Sequence, residues 1–77
     1  MENKNKLIDH KKKIITESIE YYQDSIEFYN EIIAYNKEHW LRPDISDKRR
    51  HAHKLLIEAA EEKKRECQKE IERLLND

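Results

Sequence analysis

At 77 residues the chain is too short for two domains and sits near the size at which one core stops supplying enough stability unaided. Sixteen basic residues against 17 acidic ones leave a formal net charge of −1, so no overall field draws the chain to nucleic acid or to anionic lipid. Charged residues make up 43% of the chain, a fraction compatible with disorder, but the 36% that are hydrophobic fall in strict register, with no Gly and a single Pro.

The N-terminus, Met1 to Lys6, leads directly into an amphipathic pattern with no apolar signal region, and no run approaches the ~18 apolar residues of a membrane span. Cys67 is the only cysteine, which leaves no intrachain disulfide and no cysteine zinc cluster. The expectation is a cytoplasmic protein with no membrane segment. Its richness in Lys and Ile hints at an AT-rich bacterial or phage genome.

The first predicted element is a helix over about residues 5–40. Ile8, Ile15, Ile19, Tyr22, Ile26, Tyr29, Ile33 and Trp40 follow the three-four spacing of a helix packed lengthwise on another. Beside them runs a second stripe, Leu7, Ile14, Tyr21, Phe28 and Tyr35, with an unbroken step of seven. Ser18, Ser25 and Ile32 lie between the two. Together these positions span roughly 160° of the helix at 100° per residue, wider than a two-helix seam. The acids Glu17, Glu20, Asp24, Glu27, Glu31 and Glu38 fall outside that arc as a solvated back.

At Leu41-Arg42-Pro43-Asp44 the pattern breaks. Pro43 has no amide donor and biases Arg42 toward extended backbone, which predicts a turn over 41–44. Asp44 or Ser46 then caps a second helix over about 45–75, and Asp44 with Asp47 resembles a capping box. Two long helices joined so briefly must fold back antiparallel. In the second helix His53, Leu56, Ile57, Ala60, Lys64, Cys67, Ile71 and Leu74 make the packing stripe. A turn centred on residue 43 sets Ile26 and Tyr29 against Leu56, Ala59 and Ala60, and Ile15 and Ile19 against Cys67 and Ile71. It also brings Glu31 and Glu38 alongside the basic stretch from Arg42 to Lys54.

The fold class expected is thus all-α, a single-domain antiparallel two-helix hairpin over residues 1–77 that assembles into a four-helix-bundle dimer. Leu7, Ile14, Tyr21, Phe28 and Tyr35 are the candidate protein interface, covered by a second copy or by a foreign protein, since aromatics concentrate binding energy. The competing arrangement lays the second helix across the groove between the two stripes. Lys48, Arg49, Arg50 and Lys54 are a candidate contact for phosphate or an acidic partner. Cations in the first turns of a helix oppose its dipole, although they also answer the acids of the first helix.

Catalysis, cofactors and a small-molecule substrate are not expected. The chain lacks Gly for a phosphate loop or oxyanion turn, and two helices enclose no pocket. No metal is expected either, because His51 and His53 point apart on a helix while His10 and His39 are distant along it. The function expected is a protein-protein interaction module, a small regulator or inhibitor. The alternative is a dimeric nucleic-acid binder using the start of the second helix, with binding that falls steeply with salt.

Overall fold

The computed structural model describes the backbone of residues 2–76 and the side chains of residues 6–76. Two helices make up the fold, α1 (Glu2–Trp40) and α2 (Asp47–Asn76), packed side by side as an antiparallel hairpin. Lys, Glu, Gln, Leu and Ile dominate both, and neither contains Gly or Pro, so local preference and the periodic stripe agree on helix. None of the described residues forms a strand, and no helix among them is long and apolar enough to cross a membrane.

The turn takes residues 41–46, two more than the spacing predicts, and Ser46 rather than Asp44 caps α2. The α-helical bonding of α1 runs on to Leu41, whose N donates to Lys37 O at 3.1 Å, and tightens at Arg42, whose N donates to His39 O at 3.2 Å. Asp44 is drawn back toward Arg42, Oδ1 to Nε 3.9 Å, instead of facing the amides of α2. Those amides are met by Ser46, whose Oγ accepts from Arg49 N at 3.2 Å and whose carbonyl accepts from Arg50 N at 2.9 Å. The capping box Asp44/Asp47 therefore does not form. Ser46→Ala should lower stability by about 0.5–2 kcal/mol. Asp44→Ala should cost less than about 0.5 kcal/mol, as exposed ion pairs do. Thermal unfolding of the two variants checks the assignment, and a larger loss at Asp44 would reverse it.

The longer turn shifts the pairing by about two to three residues. Asn36 meets His53 across the seam, and Tyr22 rather than Ile19 lies at the level of Cys67. Tyr29 and Ile32 line a groove with Leu56, Ala59 and Ala60. With Asn36 level with His53, the end of α2 at Asn76 falls level with residue 13, and α1 overhangs by about 16 Å at 1.5 Å per residue. Ile8, expected on the packing stripe, is consequently exposed. Leu56, also expected there, is half in solvent at 52% because the seam of α2 runs through Ile57 and Ala60.

The hairpin has almost no interior. Ile57, Ala60 and Asn36 are the described residues that count as buried, and no large side chain is fully enclosed. The rest of the seam is half-buried: Ile15, Ile19, Tyr22, Ile26, Tyr29, Ile33 and Trp40 on α1, with His53, Cys67, Ile71 and Leu74 on α2. Ser18 and Ser25 border it, and their hydroxyls donate to the carbonyls of Ile14 and Tyr21 at 2.8 and 3.0 Å, so each is satisfied within its own helix.

Candidate interaction face

The two broad sides of the hairpin differ in chemistry. On one side Asn30, Ile33 and Lys37 of α1 face Glu61, Lys64, Arg65 and Gln68 of α2 across a polar groove. On the other, Tyr29 and Ile32 meet Leu56, Ala59 and Ala60 across an apolar one. Phe28 and Tyr35 flank Ile32 on this second side. Ala52 and Leu55, one helical turn before Leu56 and Ala59, extend it along α2 toward the turn.

The second stripe lies along this side, opposite apolar residues of α2 near the turn and charged ones further on. Leu7, Ile14, Tyr21, Phe28 and Tyr35 are all exposed, the three aromatics at 67%, 57% and 59%. Helix α2 therefore does not lie across both stripes. It covers one and leaves the other bare, because the seam centres on Tyr22, Tyr29 and Asn36, a residue further round α1. Within the chain these aromatics touch mainly their neighbours: Tyr21 and Tyr22 stand edge to face with centroids 5.4 Å apart, and Phe28 and Tyr29 do the same at 5.7 Å.

No family model, curated protein or solved structure matches this chain.

The four residues of the candidate phosphate contact differ in exposure. Lys48, Arg49 and Lys54 are exposed, but the Arg50 guanidinium turns back to donate from Nη2 to Arg42 O at 3.2 Å, tying down the turn. Ion pairs among the described residues are local: Arg42 with Asp44, Lys63 with Glu66 and Arg73 with Glu70. None crosses between the helices, so Glu31 and Glu38 do not answer the basic stretch within the chain. They stand on the outer border of α1, away from α2.

One cluster is not evident in the two stripes. Asn36 is 5% exposed, with its Nδ2 donating to Ile32 O at 2.7 Å, which leaves Oδ1 as the acceptor for His53 Nδ1 at 2.8 Å. His39 joins them, its ring 5.6 Å from that of His53 and 4.2 Å from that of Tyr35. A line of polar and aromatic groups thus runs from the seam to the exposed stripe. No group of three or more His, Cys, Asp or Glu side chains placed to hold a metal ion occurs among the described residues. The signal for Asn36 was present in the sequence: between Ile33 and Trp40 the three-four spacing skips one position, and Asn36 occupies it. A polar residue at one seam position is a known device for setting helix register.

Proposed function

We propose that this chain is a non-enzymatic helical-hairpin interaction module, a small regulator or inhibitor that works by burying its apolar side against protein, in the simplest case as a four-helix-bundle homodimer. The observation that carries this reading is the bare aromatic stripe beside an almost coreless seam. Exposed surface measures 6730 Å², against about 5,000 Å² for a compact monomer of 9.5 kDa. The excess, about 1,700 Å², is of the order that one protomer buries in an obligate dimer. A radius of gyration of 18.7 Å, where a compact chain of this length would have about 11–12 Å, says the same about shape.

Light scattering coupled to size exclusion tests it. The expected mass at micromolar concentration is twice the chain mass of 9.5 kDa or more. A folded monomer would remove the self-association half of the proposal and leave the stripe to a foreign protein. Association that weakened steeply with salt and depended on added nucleic acid would replace the proposal with the nucleic-acid reading.

A further inference from the structure

We infer that the apolar side is covered by a second copy of this chain in one orientation, with both turns at the same end of the bundle and the α1 stripe of each copy seated on α2 of the other. This rests on the interaction-module reading above and adds the identity of the occupant and the register of docking.

The borders of the apolar side carry the inference. Outside the α1 stripe, in the same step of seven, stand Glu17, Asp24, Glu31 and Glu38, all exposed. Along the outer edge of the α2 half stand Lys48, Leu55, Glu62 and Lys69, all exposed, while inside that edge Arg49 and Lys63 are offset by Glu66 and Glu70, Lys63 being paired with Glu66 at 3.5 Å. One border is purely acidic, and the other is basic on balance. None of the four acids is held by a cation across the hairpin.

Two face-to-face twofold arrangements are open to a hairpin. With the turns at opposite ends, α1 lies along the partner's α1, and acid borders meet: Glu17 faces a second Glu38, and Asp24 a second Glu31. Like charges in that position oppose association. With the turns at the same end, α1 lies along the partner's α2 at the levels already seen within the chain. Glu38 of each copy then falls beside Lys48 of the other, and Asp24 and Glu17 flank Lys69. Glu62 is the one unfavourable member.

The apolar residues select the same arrangement. The α2 half of the face is apolar only near the turn, at Ala52, Leu55, Leu56 and Ala59, and gives way to Lys63, Glu66, Lys69 and Glu70 further on. Same-end docking lays Phe28, Ile32 and Tyr35 on that apolar part, large side chains over Ala52 and Ala59. Opposite-end docking over the full length would set Leu55 and Leu56 against the charged far half of the partner's α2.

Spin labels at Asp44→Cys in a Cys67→Ala background decide between the two. Same-end docking places the labelled positions about 10–20 Å apart, given bundle spacings of ~8–10 Å. Opposite-end docking separates them by most of the 67 Å length of the molecule. Glu38→Lys gives a test of sign. In the same-end dimer it meets Lys48 twice and should raise the dimer Kd about five- to tenfold, with Lys48→Glu restoring it. In the opposite-end dimer it meets Glu17 and should tighten association. A dimeric mass with a long label distance, or tightening by Glu38→Lys, overturns the orientation alone. A monomeric mass overturns both the orientation and the self-association beneath it.

Discussion

Phe28→Glu should convert the proposed dimer into a monomer, raising its Kd by at least about a thousandfold. Phe28 stands mid-stripe, 57% exposed in the isolated hairpin, where it has little but Tyr29 to pack on. Burying such a side chain is worth about 1.5–3 kcal/mol. Leaving a carboxylate unpaired in its place costs several more kcal/mol, on the order of the 3–5 for a broken buried ion pair. Twofold symmetry applies the change twice, so even about 2 kcal/mol per site reaches a factor of a thousand, at tenfold per 1.4 kcal/mol.

The hairpin itself should tolerate the substitution, because Glu is a good helix former and the site lies outside the seam. Asp24 and Glu31, four residues before and three after, would repel the new acid by only a few tenths of a kcal/mol. Phe28→Lys removes even that objection, since Lys at this position pairs with both acids while still stripping the stripe of its central ring. Both variants should elute at the mass of one chain. Their thermal midpoint should fall and lose its dependence on protein concentration, which mass action demands of any dimer. If either kept the dimeric mass, the stripe would not be the interface.

The legible part of this fold was its periodicity. The two stripes in residues 7–40 predicted helix, and the structure leaves Leu7, Ile14, Tyr21, Phe28 and Tyr35 outside the hairpin's own seam. What the periodicity could not set was position along the helices. Pro43 marked where α1 stops, but the start of α2 depended on whether Asp44 pointed at α2 or back at Arg42. Two residues more in the turn moved every cross-seam pair. The acids of α1 were similarly ambiguous: their positions fixed a face, while only the packing showed that this face turns away from α2 and leaves Glu31 and Glu38 without the basic stretch of their own chain.

Asn36 and His53 should prove coupled, each worth more in the presence of the other. Asn36→Ala removes the acceptor seen for the Nδ1 of half-buried His53, and a donor left unsatisfied there costs about 1 kcal/mol or more. His53→Leu should cost a comparable amount, because Oδ1 of Asn36 is then stranded while its Nδ2 stays on Ile32 O. The double replacement Asn36→Leu with His53→Leu removes both polar groups at once, and should be near neutral or stabilising. Denaturant unfolding of the four proteins closes a cycle whose expected coupling energy is about 1–2 kcal/mol. Additive losses would mean that water, not the partner, satisfies each group. The doubly apolar seam should also lose the cross-seam hydrogen bond that marks its alignment. With the repeating Ile and Tyr positions of α1 no longer pinned by that bond, looser register, seen as broadened spin-label distances between the two helices, should accompany the gain in stability.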